Sequence, residues 1–206
     1  MKMSEYDVCI IDDDEAIRES LRLLLFADGL KSCCFESADD FLEKGQGTTF
    51  SCMLLDIRMP GKDGLELFQL LNRESLLYPV IFITGHGDIP LAVSAIKQGA
   101  FDFLTKPFEE GELLKKIHAA LDSFESNRKR ALEDRELRSR IELCTPRELD
   151  VMRLLVQGLS NKGIADTLNI SPRTVEIHRA HVMEKMDAES LPALVRMVTQ
   201  LETDEV

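Results

Sequence analysis

The stretch MLLDIRMPG, residues 53–61, is apolar for three positions and then presents Asp56, an arginine and a proline-glycine turn. A carboxylate at the tip of an apolar strand needs a partner, because charged groups are rarely left alone at the edge of a core. Three other segments supply candidates. The run IDDDE closes an apolar stretch with Asp12 and Asp13, VIFIT ends at Thr84, and FDFLT is followed by Lys106 and Pro107. Carboxylates at this density repel one another and need a cation to coexist. A hard, oxygen-seeking ion such as Mg2+, or Mn2+ in its place, suits Asp13, Asp56, a backbone carbonyl and waters, with Asp12 helping directly or through water. Lys106 adds a second positive charge and Thr84 a hydroxyl donor. Together these match the three oxygens of a phosphoryl group, while Asp56 keeps an oxygen free to attack phosphorus. Each residue also has a plainer use: Asp13 could cap a helix, Lys106 could simply pair with an acid, and Thr84 could simply end a strand. Their occurrence at successive strand ends favours the joint reading.

Positioning such a set requires strands that all end on one edge. Short apolar or β-branched runs, YDVCIID, KSCCFE, SCMLLD, PVIFIT and FDFLT, alternate with amphipathic segments, ESLRLLLFAD, SADDFLEK, DGLELFQLLNR, IPLAVSAIKQG and EEGELLKKIHAAL. Strict alternation of this kind predicts a parallel sheet wound by helices, with ligands beyond the carboxyl ends of the strands. Residues 121–142 lack Gly and Pro and carry acid-before-base pairs at i,i+4, Glu125/Lys129, Asp134/Arg138 and Glu136/Arg140, which predicts a solvated helical linker continuing the fifth helix. The pattern then changes to short helices only. Thr145, Ser160 and Ser171 stand as N-caps, with Pro146 and Pro172 at first helical positions and Glu148 placed to close a capping box. Four short capped helices make a bundle too small for a cleft, hence a binder rather than an enzyme.

Composition narrows the class. The apolar share of 44% is that of a globular protein, and no apolar run reaches the 18 residues of a membrane span; with no secretion signal, a cytoplasmic protein is expected. Five cysteines, Cys9, Cys33, Cys34, Cys52 and Cys144, have no C-x-x-C spacing and read as reduced core residues. The net charge of −12 argues against nucleic acid, but its distribution does not: residues 1–125 hold 12 basic against 23 acidic residues, residues 126–206 hold 13 against 14. The second part remains free to present a basic face to DNA.

IIDDDE, LLDIRMPGKDGLEL, IFITGHGD and FDFLTKPF resemble the receiver domain of two-component response regulators across residues 5–120. The resemblance implies a (βα)5 doubly wound, flavodoxin-like fold in which Asp56 accepts a phosphoryl group from a sensor histidine kinase. It further implies Mg2+ at Asp12, Asp13, Asp56 and the carbonyl of Arg58, phosphoryl contacts from Thr84 and Lys106, and Phe103 as the switch aromatic. A shift of Thr84 toward the phosphoryl would vacate space that the Phe103 ring could fill, reshaping the face of the fourth helix, fifth strand and fifth helix, which commonly dimerises in this family.

After a linker at 121–142, residues 143–206 carry TPRELDVMRLLVQGLSNKGIADTLNISPRTVEIHRAHVMEKM and SLPALVRM, similar to the LuxR/NarL/FixJ-type helix-turn-helix, FixJ subgroup. Asn169 occupies the tight turn, where it tolerates a left-handed backbone. On the reading helix Val175, Val182, Met183 and Met186 should face the core, leaving Arg173, Thr174, His178, Arg179 and Lys185 for DNA. Arg173, Lys185 and, on the scaffold helix, Lys162 suit phosphates; Thr174, His178 and Arg179 suit base edges. The whole reads as a phosphorylation-switched regulator that dimerises on promoter DNA and, as an activator, meets RNA polymerase, with at most slow self-dephosphorylation. Two alternatives stand beside it. A Mg2+-dependent aspartyl-phosphate phosphohydrolase would place a second acid two residues after the nucleophile, where this chain has Arg58. A phosphorylation-independent receiver-like module would be marked by loss of the acidic pair or the lysine, and both are intact.

Overall fold

The computed structural model describes residues 4–73, 78–85 and 89–203. Its contacts divide the chain into two units, one running to Asn127 and the other starting at Arg128. The first contains β1 (Val8–Ile11), α1 (Glu15–Ala27), β2 (Ser32–Phe35), α2 (Ala38–Lys44), β3 (Cys52–Asp56), α3 (Gly64–Arg73), β4 (Val80–Thr84), α4 (Ile89–Lys97), β5 (Asp102–Thr105) and the first part of α5 (Glu110–Glu142). The strands form one parallel sheet in the order β2-β1-β3-β4-β5. Strand order therefore reverses between β1 and β3, which places the crevice of such folds over the ends of those two strands.

The near-continuous apolar strands are explained by burial on both faces. Cys9, Ile11, Met53, Leu55 and Phe82 point to one face, packed under Phe41 of α2, Leu67 and Phe68 of α3, and Ala92 and Ala95 of α4. Val8, Ile10, Cys52, Leu54, Ile81 and Ile83 point to the other, packed under Leu21 and Leu25 of α1 and Leu113, Ile117 and Ala120 of α5. All five cysteines are free. Helix α1 starts four residues earlier than the apolar pattern suggested, because Asp14, not Asp13, is its N-cap and accepts the N–H groups of Ala16 and Ile17. Residues 86–88 of the GHGD motif lie outside the described residues.

The second unit holds α6 (Pro146–Val156), α7 (Asn161–Leu168), α8 (Pro172–Lys185) and α9 (Leu191–Thr203). Helix α5 is unbroken through 121–142. The anticipated ion pair Glu136–Arg140 forms at 2.9 Å, and Lys129 also lies 3.9 Å from Glu133. The last turns of α5 contribute Leu137 and Ile141 to the core of this unit, alongside Val151, Leu155, Ile164, Val175, Val182, Met186 and Leu194. The bundle of four short helices is thus completed by a fifth segment, and Arg140 ties that segment down by donating to the Met186 carbonyl at 2.8 Å. The caps are built from the expected residues: Thr145 and Glu148 form a full capping box, and Ser160 and Ser171 accept the N–H of Gly163 and Thr174. Asn169 closes α7 with φ 53°, the left-handed conformation its short polar side chain tolerates.

Candidate functional site

Parallel register brings the chemistry-bearing residues to one edge. Asp56 is the last residue of β3, opposite Ile83; Thr84 ends β4; Asp12 follows β1; and Lys106 follows β5. Asp12 is 1% exposed and Asp56 5%. The Lys106 Nζ lies 2.8 Å from Asp12 Oδ2 and 2.8 Å from Asp56 Oδ1, joining carboxylates 44 residues apart in the chain. Each carboxylate spends its second oxygen on a backbone donor: Asp12 Oδ1 accepts the N–H of Asp14 and Asp56 Oδ2 that of Arg58, both at 2.9 Å. Burial pushes the Asp56 carboxyl above its usual range, an effect that the hydrogen bond from Lys106 only partly offsets. Burial alone would lower the Lys106 ammonium, but its bonds to Asp12 and Asp56 outweigh that and hold it above its ordinary value.

Two buried carboxylates against one ammonium leave an excess of negative charge at low dielectric, a situation that invites a further cation. Among the described residues, no group of three or more His, Cys, Asp or Glu side chains is assembled as a metal cage. The donor set is instead two carboxylates drawn to one ammonium beside backbone carbonyls, which suits Mg2+, an ion that keeps several waters and takes one or two protein carboxylates. Asp13 is at the surface beside this pair and is not gathered into it by its side chain.

The remaining receiver residues sit around the pair. Thr84 is fully buried and its hydroxyl donates to the Gly85 carbonyl at 2.7 Å, so it is not engaged with Asp56 in this state. Phe103 is half-buried and packs on the α2–α4 side of the sheet. Register pairs Phe82 with Phe103 and Thr84 with Thr105, so Phe103 shares a face with Thr84 and stands one pair back. Two residues were not anticipated. A Cβ on Gly64 would meet the Asp56 carbonyl oxygen at 2.1 Å, so this helix start can pack on the β3 end only as glycine. Arg18, one turn into α1, donates from Nη1 to the carbonyls of Asp12 at 2.8 Å and Asp13 at 3.0 Å.

In the second unit, several residues assigned to DNA are turned inward. Lys185 Nζ lies 2.6 Å from Glu148 Oε2, and His181 Nδ1 lies 3.2 Å from Glu148 Oε1. The bond from Lys185, followed by the Thr145 N–H of the capping box, holds the buried Glu148 carboxyl down to about 2. Arg179 is half-buried and donates to Asn161 Oδ1 on α7 at 3.2 Å. Thr174 is half-buried, with its hydroxyl 2.8 Å from Ser171 Oγ. His178 is half-buried with its Nδ1 sealed from solvent and without a described partner. Arg173, paired with Glu176 at 3.1 Å, and Lys162 of α7 remain exposed. The solvent stripe of α8 therefore runs through Arg173, Glu176, Ile177 and Ala180, and Ile177 is 46% exposed. The apolar face expected for α8 forms, with Val175, Val182 and Met186 buried and Met183 packed beside them, but α8 lies on α6 and α7 together and so half-buries Thr174, His178, Arg179 and Lys185 as well.

Residues 8–118 match the family described as the response regulator receiver domain, and residues 142–198 the family described as bacterial regulatory proteins, luxR family. The transcriptional regulatory protein FixJ of Bradyrhizobium diazoefficiens is 45% identical over 190 residues, 92% of this chain and 93% of that protein. The response regulator protein TodT of Pseudomonas putida is 43% identical, covering 94% of this chain and 86% of its own. Among solved structures, that of the response regulator StyR, at low resolution, is similar with a TM-score of 0.81 and 41% identity, covering 94% of this chain and 98% of that one.

Proposed function

The chain belongs to the two-component response regulators that join a receiver domain to a LuxR-type DNA-binding domain, and from that premise we propose that Asp56 is the phosphoacceptor that switches its binding to promoter DNA. The observation that carries this reading is the Lys106 Nζ placed 2.8 Å from both Asp12 and Asp56 at the sheet edge. Asp56 attacks the phosphorus of a phosphohistidine on a sensor kinase; the new O–P bond forms as the P–N bond breaks, and the histidine nitrogen keeps the electron pair. Lys106 is freed to meet a phosphoryl oxygen, and the Thr84 hydroxyl turns from the Gly85 carbonyl to donate to another. Asp12, Asp13, Asp56 and the carbonyl of Arg58 would hold Mg2+, or Mn2+ in its place. When bound, the ion supplies positive charge against the phosphoryl oxygens and the acidic edge.

The move of Thr84 opens the space beside it on the shared face, and Phe103 turns inward to fill it. That remodels the surface of α4 and β5, where Val93 at 43% and Ile96 at 37% exposure give the apolar area for a homodimer. The dimer presents two copies of α8 to successive major grooves. Arg173 and Lys162 bind phosphates, Thr174, His178 and Arg179 flank the reading face, and Lys185 positions α8 through Glu148. The aspartyl phosphate hydrolyses slowly without further machinery, and the DNA-bound dimer engages RNA polymerase as an activator in the cytoplasm. No helix among the described residues is long and apolar enough to cross a membrane.

The test is labelling by acetyl phosphate of the wild-type protein and Asp56→Asn, with and without Mg2+. Mg2+-dependent labelling that disappears in the variant is expected. Labelling that persists in Asp56→Asn, or none in wild type with Mg2+, overturns the proposal.

A further inference from the structure

Strand β1 ends at Ile11, and the two residues that follow are those expected to face the cation. Beyond the strand the carbonyls of Asp12 and Asp13 have no ladder to enter, so their orientation has to be set by something else. The Arg18 Nη1 donates to both, at 2.8 and 3.0 Å. The bonds around them close a small frame. Asp12 Oδ1 takes the Asp14 N–H, Asp14 Oδ1 takes the Ala16 N–H at 2.8 Å, and the Arg18 N–H returns to the Asp14 carbonyl at 3.0 Å. Helical side chains lean toward the N-terminus of their helix, so position 18 is where a long donor can reach back over the start of α1. Arg18 is half-buried, which removes water as an easy substitute for its bonds.

We propose that Arg18 is a positioning residue for the cation site: its guanidinium fixes the backbone of Asp12 and Asp13, so that only their side chains need turn to meet the ion. This rests on the Mg2+ reading of the acidic edge. Arg18 binds neither the ion nor the phosphoryl group; it acts through the two carbonyls. The two possible roles of this cation predict opposite signs. A guanidinium that acted only as nearby positive charge would repel Mg2+, and its removal would tighten binding. A guanidinium that positions the loop would, when removed, loosen binding, and partners of this outer kind are worth on the order of tenfold in metal affinity.

The experiment is calorimetric titration of Mg2+ into the unphosphorylated full chain, as wild type, Arg18→Ala and Arg18→Lys, each checked for folding by circular dichroism. Arg18→Ala is expected to bind Mg2+ on the order of tenfold more weakly. Arg18→Lys, which keeps the charge but not the planar fork, is expected to fall between the two, and this holds as the deciding comparison if Arg18→Ala does not fold. In acetyl phosphate labelling, the Mg2+ concentration for half-maximal rate should rise more than the maximal rate falls. Unchanged or tighter Mg2+ binding in Arg18→Ala, or in Arg18→Lys where that is the deciding comparison, overturns the positioning role. A loss confined to transfer from a phosphorylated kinase, with Mg2+ binding intact, overturns it in favour of a docking contact. A wild-type protein that binds no Mg2+ instead removes the reading of the acidic edge on which the proposal rests.

Discussion

Replacing Glu148 by Gln isolates one buried charge in the DNA-binding unit. The carboxylate side chain is 4% exposed, accepts the Thr145 N–H at 2.8 Å and the Lys185 ammonium at 2.6 Å, and is held down to about 2 from a usual 4.5. At about 1.4 kcal/mol per pH unit, that gap makes ionised Glu148 worth about 3 kcal/mol to folding. Lys185 is 31% exposed, and solvent screening at its end brings the expectation nearer to about 2 kcal/mol. Glutamine keeps the cap acceptor but mimics the protonated acid, so Glu148→Gln should lose this amount at pH 7. The sign follows from the lowered value: the stabilisation is complete above the unfolded pKa of 4.5 and is lost as pH falls through about 2. Wild type and variant should therefore differ at pH 7 and converge near pH 2. With a urea slope of about 1 kcal/mol per M for a unit of this size, the midpoint at pH 7 should move by about 2 M. Both tyrosines, Tyr6 and Tyr78, lie in the first unit and the chain has no tryptophan. Tyrosine fluorescence thus reports the receiver alone, while circular dichroism follows both units. A midpoint difference that stays constant from pH 7 to pH 2.5 would refute the argument, since a lost packing contact does not titrate.

Lys106→Met should leave Asp12 and Asp56 facing each other without a cation. Because burial already raises Asp56, the tyrosine-detected receiver should be more stable at pH 5 than at pH 7, with Mg2+ restoring stability at pH 7; equal stability at both pH values would contradict this. Gly64→Ala places a methyl 2.1 Å from the Asp56 carbonyl oxygen, and labelling by acetyl phosphate should fall on the order of tenfold, as for reacting groups displaced by a fraction of an ångström; unaltered labelling would show that the β3 end tolerates the shift. Ile177→Ser should lower the preference for a selected promoter site over random DNA more than it lowers binding to random DNA, because an apolar side chain can meet a thymine methyl; Lys162→Ala should weaken both equally and reduce the salt slope by about 1 in filter or anisotropy titrations.

The edge chemistry was legible because strand ends are encoded locally. An apolar run that stops at Asp56, Thr84 or Lys106 fixes both the residue and the side of the sheet it leaves from, and parallel register does the rest. Caps were legible for the same reason: Thr145, Ser160 and Ser171 act on backbone groups two or three residues away. What escaped depended on groups distant in sequence. Nothing near Lys185 announces that a carboxylate 37 residues earlier will take its ammonium, and nothing near Arg179 announces Asn161. By residue type and spacing both read as cations open to DNA on a helix surface. Their capture is coherent with function, because a reading helix must be held rigidly against its scaffold before its outer stripe can discriminate bases. Lys185, the last residue of α8, anchors it to α6, and Arg179, near its middle, anchors it to α7. Ile177 and Arg173 are left on the side that neither anchor occupies. Charge type alone therefore does not tell where a basic side chain is held in so small a bundle: an acid sealed by its own cap, as Glu148 is, draws the Lys185 ammonium to 2.6 Å.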